Sequence, residues 1–281
     1  MSVLKVQQGE IEVIQIKNAY CTAKISLQGA QVLKFFSKKL NKDLLWLSDL
    51  NQYQQAKAIR GGIPLCFPWF GAHATEASFP SHGFACNSLW TLFEITEDEA
   101  GHHLQFELKD SAATRQYWNH AFRLEMQIHC GETLKLEFKL HNRDEQAFVF
   151  TFAWHSYFPA ETRVAKVKGL HGLSYIDQLD QNQQKVQTDE LIEFTAELDR
   201  IYPETFGEFT LLQNDAEQIQ IQSTAKSAVI WNPWIEKAKR LGDVRDDAWQ
   251  EFVCVETGQI ADQGIIVPAG QTMHFELTIS A

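Results

Sequence analysis

The sequence predicts an all-β protein, a large antiparallel β-sandwich with a few short helices. Its clearest pattern has a period of two residues: over residues 134–141, apolar side chains alternate with charged or polar ones. Such alternation is typical of a strand with one buried and one solvent-facing side. A second alternating run, Phe122–Cys130, precedes it, and Gly131-Glu132 separates the two. This arrangement predicts a β-hairpin.

Shorter apolar runs extend the prediction along the chain, with turn residues such as Asn214-Asp215 between them. Many short strands without intervening amphipathic helices favour a sandwich or barrel over an α/β fold. Short helices are predicted near residues 112–118 and 234–241, and the Gln-rich stretch 178–187 is predicted to be an exposed loop. The candidate strands are residues 11–16, 22–27, 92–95, 104–108, 209–212, 219–221, 229–231, 252–255 and 273–279.

The composition suits a globular chain with a sizeable core, since 44% of the 281 residues are hydrophobic and 22% are charged. No internal repeat or flexible linker divides the chain, so we expect one domain over residues 1–281. The sequence turns polar directly after its start, and apolar stretches such as residues 148–154 are too short to cross a bilayer. We therefore expect a cytoplasmic protein.

Charge and cysteine content narrow the possible partners. A formal net charge of −11 opposes nucleic acid or an anionic membrane as the main partner, although a small anionic metabolite needs only a local cluster of donors. The cysteines show no Cys-x-x-Cys spacing, so neither a disulfide framework nor a zinc cluster is indicated. No long coiled-coil pattern is present, which makes a monomer the default expectation. The five cysteines are Cys21, Cys66, Cys86, Cys130 and Cys254.

Two segments contain residues that a scaffold does not require. Residues 60–71 begin with Arg60-Gly61-Gly62 and continue through Phe67-Pro68, which predicts a shaped loop rather than a regular strand. Residues 81–87 form a small polar turn that contains His82. Taken alone, both segments are also compatible with purely structural turns.

Two further segments place ionisable groups in apolar surroundings. His155 follows Phe152-Ala153-Trp154, and Glu256 ends the apolar run Phe252–Val255. A buried carboxylate without a partner costs several kcal/mol or has a raised pKa, so Glu256 is either ion-paired or a general base tuned towards neutrality. His155 is either a hydrogen-bonded core residue or an acid near neutral pH. Asp199, next to Arg200 and expected on a loop, is either a solvated charge or a functional carboxylate, and its position indicates a function less strongly than that of Glu256.

In order and spacing, these segments resemble the hexose-6-phosphate mutarotase branch of the aldose 1-epimerase family. The resemblance extends from Gly29-Ala30 to the turn at Pro268-Ala269-Gly270. It implies a galactose-mutarotase-like β-sandwich that binds a hexose phosphate in an open cleft on one sheet, and it implies no metal or organic cofactor. The absence of a P-loop, of a Gly-x-Gly-x-x-Gly fingerprint and of a His-Glu-x-x-His motif agrees with this.

The resemblance also implies roles for individual residues. His155 in Trp-His-Ser-Tyr-Phe matches the general acid of the family, and Glu256 in Phe-Val-Cys-Val-Glu matches its general base. Asp199 in Asp-Arg-Ile-Tyr matches a substrate-binding aspartate, and His82 in His-Gly-Phe-Ala matches a histidine of the sugar site. Arg60 in Arg-Gly-Gly-Ile-Pro matches an arginine of the phosphate clamp.

Two aromatic residues complete the expected sugar site. Trp234, in the family segment Trp231-Asn232-Pro233-Trp234, and Phe67 are expected to contact the substrate, since aromatic rings pack against the apolar face of a sugar.

One residue departs from the family pattern. The family usually has an arginine directly after His-Gly-Phe-Ala, where this chain has Cys86, so one expected phosphate donor is missing. Either Arg60 acts with another cation, such as Lys57 or Arg163, or the substrate is an unphosphorylated or different sugar. Loss of a charge-assisted hydrogen bond, worth about 1.5–3 kcal/mol, would weaken phosphate recognition about ten- to hundred-fold.

The implied reaction requires one proton to leave the anomeric hydroxyl and one to reach the ring oxygen. Glu256 and His155 would serve from opposite sides of the sugar, and each positioned proton transfer contributes about 10²–10⁴-fold. Three alternatives remain open at the level of sequence. They are a mutarotase for neutral aldoses, a non-catalytic carbohydrate-binding protein and, more distantly, a polysaccharide lyase or hydrolase on a similar sandwich.

Overall fold

Strands make up most of the fold, which confirms the all-β prediction. The structure is a computed structural model that describes residues 2–261 and 263–281. Its strands are β1 (Ser2–Gln8), β2 (Ile11–Lys17), β3 (Cys21–Ser26), β4 (Val32–Ser37), β5 (Lys42–Asp43), β6 (Leu65–Cys66), β7 (Thr91–Asp98), β8 (Gly101–Lys109), β9 (Phe122–Cys130), β10 (Leu134–Asn142), β11 (Phe148–Phe150), β12 (Phe152–Trp154), β13 (Tyr157–Pro159), β14 (Ala165–Lys168), β15 (Ser174–Asp177), β16 (Gln183–Val186), β17 (Leu191–Glu193), β18 (Leu198–Tyr202), β19 (Glu208–Gln213), β20 (Ala216–Ser223), β21 (Ser227–Asn232), β22 (Phe252–Gln259), β23 (Ile265–Val267) and β24 (Thr272–Ser280).

Helix is confined to short pieces. The predicted helix near residues 234–241 appears as α1 (Trp234–Ala238), whereas the one near residues 112–118 is reduced to a single 3₁₀ turn. The 3₁₀ turns are Ala85–Asn87, Thr114–Gln116, Thr162–Val164 and Ala248–Gln250. No helix of the described residues has the length and apolarity that a membrane span requires.

Antiparallel pairing joins the strands into two large sheets and two smaller ones. The nine-stranded sheet has the order β17-β14-β19-β20-β24-β10-β9-β8-β7, and the other large sheet has the order β16-β15-β18-β21-β22-β12-β6, with β13 also paired to β22. The smaller sheets are β1-β2-β3-β4-β5 and β11-β23. The predicted hairpin is confirmed, because β9 and β10 pair with Cys130 opposite Leu134.

The two large sheets face each other across the main apolar core. Phe138 of β10 stacks on Phe152 of β12, with ring centroids 4.7 Å apart and planes inclined by 4°. Phe275 of β24 packs against the same Phe152 ring at 4.7 Å. Such aromatic pairs contribute about 0.5–1.5 kcal/mol beyond the burial of their area. This layer makes the sheet that contains β12 and β22 a rigid platform.

The opposite side of that platform carries a second apolar cluster, separate from the main core. It includes Trp231 of β21, Cys254 of β22 and Tyr157 of β13. Because side chains alternate along a strand, residues next to these in sequence, such as Val253, point into the main core instead. The candidate functional groups lie on this second side, which we call the outer side of the platform.

Some segments differ from their predicted structure. The Gln-rich stretch 178–187 is mostly exposed as expected, yet Gln187 is buried and residues 183–186 form β16, which pairs with β15. Asp199, expected on a loop, lies within β18. Strand β1 pairs with β2 along its whole length although most of its side chains are exposed, so it lacks the one-sided apolar pattern on which the prediction relied.

Candidate active site

His155 and Glu256 meet on the outer side of the platform. β12 runs antiparallel to β22 with Trp154 opposite Thr257, and His155 follows directly after β12. Its Nε2 lies 3.3 Å from Oε1 of Glu256. The two groups are therefore side by side, and the expectation that they act from opposite sides of a sugar ring is wrong for this arrangement.

A glycine allows the two strands to approach closely enough for this contact. Gly258 stands opposite Ala153, and a β-carbon at Gly258 would lie 2.1 Å from the carbonyl oxygen of Phe152. No side chain fits at that distance, since non-bonded atoms need well over 3 Å. Gly258 thus fixes the spacing between the strands that carry His155 and Glu256.

Both members of the pair are buried, with His155 9% and Glu256 2% exposed. Burial, and next the neighbouring Asp199, raise the pKa of Glu256 well above its usual range. Burial, followed by His82 and Arg60, lowers the pKa of His155 well below its usual range. Both shifts favour the uncharged forms, a protonated carboxyl group that can donate and a neutral imidazole that can accept.

The pair is also short of partners within the protein. Oε2 of Glu256 and Nδ1 of His155 are buried and have no hydrogen-bond partner in the described part of the chain. Unsatisfied buried polar atoms cost about 1–3 kcal/mol each, so such atoms are typical of sites that a ligand completes.

Asp199 and Trp231 extend the site along the platform. In register, Asp199 of β18 stands opposite Trp231 of β21, which stands opposite Cys254 of β22. The Trp231 ring lies 5.9 Å from the His155 ring, nearly perpendicular to it. Burial raises the pKa of Asp199, against the opposing effect of Lys237, whose Nζ lies 3.4 Å from the carboxylate. Asp199 is thus a partly exposed carboxyl group held by Lys237 next to Trp231.

His82 approaches the pair from the turn before β7. Its backbone is left-handed, with φ of 66°, and its Nδ1 accepts a hydrogen bond from the Gly71 amide at 3.2 Å. The His82 and His155 rings are 5.6 Å apart. Burial, and next Arg60, lower the pKa of His82 to about 4. His82 is therefore neutral at physiological pH, with its Nε2–H as a donor.

Arg60 is held by two partners at the same site. Its Nη1 donates to the Tyr157 hydroxyl at 2.9 Å, and its Nε donates to Oδ2 of Asp243 at 3.0 Å. The Tyr157 ring in turn stacks on His155, with centroids 4.8 Å apart and planes inclined by 9°. Arg60 thus influences the pair both by its charge and through the ring that supports the imidazole.

One of the two aromatic residues expected to contact the sugar lies in the core, and the other packs against a neighbouring tryptophan. Phe67 is 0% exposed and packs in the main core against rings such as Phe138 and Phe150, so it offers no surface to a sugar. Trp234 packs against Trp249, with ring centroids 4.2 Å apart and planes inclined by 48°. The segment that contains Trp234 does reach the site, but through Trp231.

Neither of the cations considered as substitutes for the missing arginine contacts His155 or Glu256 in the described structure. Lys57 is exposed on the loop before Arg60, and Arg163 lies over the rings of Trp234 and Trp249 at 5.4 and 5.1 Å. Cys86 is buried in the 3₁₀ turn Ala85–Asn87.

Two charged residues of the site and one thiol beside it were not identified from the sequence. Asp243 and Lys237 are ordinary charged residues in a polar stretch, and nothing local marks them as partners of Arg60 and Asp199. Cys254 belongs to no recognisable cysteine motif in the sequence, yet its Sγ and donor atoms of His155 and Glu256 lie within 4.8 Å of one another. Its position two residues before Glu256 on a strand could have indicated a shared face.

Comparisons with known proteins are consistent with this site. Residues 12–280 match the family model described as aldose 1-epimerase. A Salmonella typhimurium protein named "Putative glucose-6-phosphate 1-epimerase" is 35% identical over 254 residues, which cover 89% of this chain and 84% of that protein. An Escherichia coli protein of the same name is 33% identical, covering 90% and 85% of the two chains. A crystal structure from Salmonella typhimurium, described as a "putative mutarotase", superposes with a TM-score of 0.92 at 32% identity, covering 99% and 92%.

Proposed function

We infer the function from one premise: this chain belongs to the aldose 1-epimerase family. We propose that it interconverts the α and β anomers of a hexose 6-phosphate, with His155 and Glu256 as its acid and base. The observation that carries the proposal is the buried contact between these two side chains at 3.3 Å. The names of the relatives from Salmonella typhimurium and Escherichia coli support glucose 6-phosphate as the substrate.

The reaction needs one proton acceptor and one proton donor beside the two oxygen atoms that are bound to C1. One group removes the proton from the anomeric hydroxyl, the bond between C1 and the ring oxygen breaks, and the other group protonates that oxygen. The open aldehyde turns about its C1–C2 bond and closes from the other face with the two roles reversed. The hydroxyl and ring oxygens share C1, so two side chains in contact with each other can serve both.

The protonation state of the pair fits this requirement. A single proton shared by His155 and Glu256 gives a donor and an acceptor whichever group holds it. The family pattern assigns the acid to His155 and the base to Glu256, which corresponds to transfer of the shared proton across their 3.3 Å contact. By microscopic reversibility, the state with the proton on His155 and the state with the proton on Glu256 both occur in one catalytic cycle.

The neighbouring groups can bind and orient the sugar. Asp199 and His82 are partly exposed next to the pair, one as an acceptor and one as a donor, and sugar hydroxyls accept and donate hydrogen bonds equally well. Trp231 supplies an aromatic face beside His155. These groups would hold the anomeric carbon against the pair.

Arg60 is the group that we assign to the phosphate. Its Nη2 has no hydrogen bond within the described chain, whereas Nε and Nη1 are held by Asp243 and Tyr157. A guanidinium fixed on one side presents its remaining donors in a defined direction. The Asp243 carboxylate offsets part of its charge, so phosphate recognition by Arg60 alone should be moderate.

A neutral aldose is the second candidate substrate. Two observations favour it: Cys86 stands where the family usually has an arginine, and Arg60 is already paired with Asp243 at 3.0 Å. The chemistry at C1 would be the same for both substrates. The two candidates therefore differ only in what the enzyme gains from the phosphate.

Magnetisation-exchange NMR on glucose 6-phosphate, glucose and galactose would test both candidates, since it measures anomer exchange directly. We expect the protein to accelerate exchange of glucose 6-phosphate most. Arg60→Met should lower its kcat/KM about ten- to hundred-fold relative to glucose, while Lys57→Met, which removes an exposed cation, should leave that ratio unchanged. Equal loss on both sugars in Arg60→Met would favour the neutral aldose. No acceleration of any sugar by the wild type would refute the proposed function.

A further inference from the structure

Cys254 is a thiol placed directly beside the proposed acid and base. It precedes Glu256 by two residues on β22, so both side chains emerge on the outer side of the platform. The Cys254 sulfur and donor atoms of His155 and Glu256 lie within 4.8 Å of one another. The proposed proton exchange does not use this thiol.

Two of the three groups, His155 and Glu256, have buried polar atoms without a partner in the described residues. Glu256 is 2% exposed and its Oε2 has no hydrogen-bond partner in the described residues. The same holds for Nδ1 of His155, and the pair meets only through the 3.3 Å contact between Nε2 and Oε1. A bound cation would take one donor atom from each of the three side chains, since these atoms lie within 4.8 Å of one another.

The donor set is selective for a class of metal ion. An imidazole nitrogen, a thiolate sulfur and a carboxylate oxygen are the ligands that Zn²⁺ takes in proteins, at about 2.0–2.3 Å. Three such ligands on a tetrahedral ion lie about 3–4 Å apart, so the cluster would contract by about 1 Å or less through side-chain movement. Hard ions such as Mg²⁺ and Ca²⁺ prefer oxygen ligands and do not match the set.

We propose that His155, Cys254 and Glu256 form a binding site for a thiophilic divalent cation such as Zn²⁺, and that the bound cation blocks anomer exchange. The blocking part of this proposal rests on the proposed function, because the cation would bind the lone pairs of His155 and Glu256 that accept protons from the sugar. The binding part stands on the geometry alone. The site leaves one tetrahedral position for water, so the cation is held by three protein ligands.

Co²⁺ is a suitable probe because its coordination by a thiolate is visible by absorption spectroscopy. We expect the wild-type protein to bind one Co²⁺ with a thiolate charge-transfer band, and excess Zn²⁺ to displace it. Cys254→Ser should abolish the band and weaken binding at least about tenfold. Cys130→Ser is the matched control, since Cys130 is equally buried but lies on β9 of the other large sheet. The Cys130→Ser protein should bind Co²⁺ as the wild type does.

Two outcomes of the binding experiment would overturn the proposal. One is the absence of a thiolate band in the wild-type protein. The other is equal loss of the band in Cys254→Ser and Cys130→Ser, which would indicate adventitious binding by thiols in general.

Activity measurements separate this proposal from the proposed function. We expect Zn²⁺ to inhibit anomer exchange by the wild type, a chelator to restore it, and Cys254→Ser to remain active with inhibition shifted to at least about tenfold more Zn²⁺. Thiolate-bound Co²⁺ in a protein without any mutarotase activity would refute the proposed function and leave the metal site standing. An active protein with no inhibition by Zn²⁺ would refute the blocking role.

Discussion

The two sides of the platform carry opposite chemistry, although their residues alternate along the same strands. On β22, Val253 and Val255 point into the main core, whereas Cys254 and Glu256 lie on the outer side. The core side is dominated by packed apolar rings such as Phe138, Phe152 and Phe275. On the outer side, buried donors and acceptors such as Oε2 of Glu256 have no partner in the described residues.

The difference shows how one strand can serve stability and chemistry together. The core side fixes the position of the backbone, so the outer side can hold groups that are unfavourable in the absence of a ligand. The buried pair of Glu256 and His155 is such an arrangement, since burial raises the pKa of the carboxyl group and lowers that of the imidazole. Substitutions on the two sides should therefore have separable effects on activity and on stability.

The largest effect is expected for His155→Gln on the outer side. It removes the imidazole from the pair while retaining a polar side chain, so anomer exchange should slow by about 10²–10⁴-fold. Circular dichroism and the unfolding midpoint should stay close to those of the wild type. An exchange rate within a factor of a few of the wild type would contradict the role of His155.

Phe152→Ala tests the core side of the same region. Phe152 stacks on Phe138 at 4.7 Å and is fully buried, so its truncation should cost about 3–5 kcal/mol of unfolding free energy. Denaturant titration measures this loss. The folded fraction should retain its exchange rate; a stability loss below about 1 kcal/mol would show that the core is less tightly packed than described.

The pH dependence of exchange tests the shared proton. The pKa of His155 is lowered, so the pair should gain a second proton only below the ordinary imidazole value of 6.5. The pKa of Glu256 is raised, so the pair should lose its proton only well above the ordinary carboxyl value of 4.5. We therefore expect kcat/KM to be flat near neutrality and to fall on both sides.

Titration of the substrate must be separated from that of the enzyme in this profile. The second ionisation of a phosphate ester lies at about pH 6, so the profile is corrected with the measured ionisation of the sugar phosphate. A rate that rises steadily into alkaline solution would show that exchange requires the pair without its proton, contrary to the account.

A smaller effect is expected on stability when Glu256 is replaced by Gln. Because the folded pKa of Glu256 is raised, the folded state holds this proton more tightly than the unfolded state. Its contribution to stability is complete below about pH 4.5 and is lost as pH rises through the folded pKa, with a slope of at most about 1.4 kcal/mol per pH unit. Unfolding free energy should thus decline less with pH in Glu256→Gln; an unchanged slope would contradict the raised pKa.

The sequence predicted the parts of the fold in which polar and apolar side chains alternate along a strand. Strands β9 and β10 have one apolar and one polar side, so their pairing could be derived from the hydrophobic pattern and the turn between them. Most side chains of β1 and β16 are exposed, and the pairing of these strands depends on neighbouring strands rather than on local pattern. Strand propensity depends strongly on such context.

The candidate site was predicted in part, and the reasons lie in sequence separation. The roles of His155 and Glu256 came from the family resemblance, and their contact could not be derived from either segment alone. The partner of Arg60, Asp243, is 183 residues away and has no distinctive surroundings in the sequence. Phe67 was misassigned because an aromatic residue in a glycine-rich and proline-rich loop can face a ligand or fill the core, and only packing decides which.

The proposed function depends on one claim, that the side chains of His155 and Glu256, which contact each other, transfer the protons of a bound sugar. The most direct test is magnetisation-exchange NMR on glucose 6-phosphate with Glu256→Gln, which keeps the shape of the side chain and removes its proton transfer. Glu137→Gln, a change on the nine-stranded sheet at a residue paired with Lys139, is the matched control. The account predicts that Glu137→Gln accelerates exchange as the wild type does and that Glu256→Gln does not. Acceleration by Glu256→Gln at the wild-type rate would contradict it.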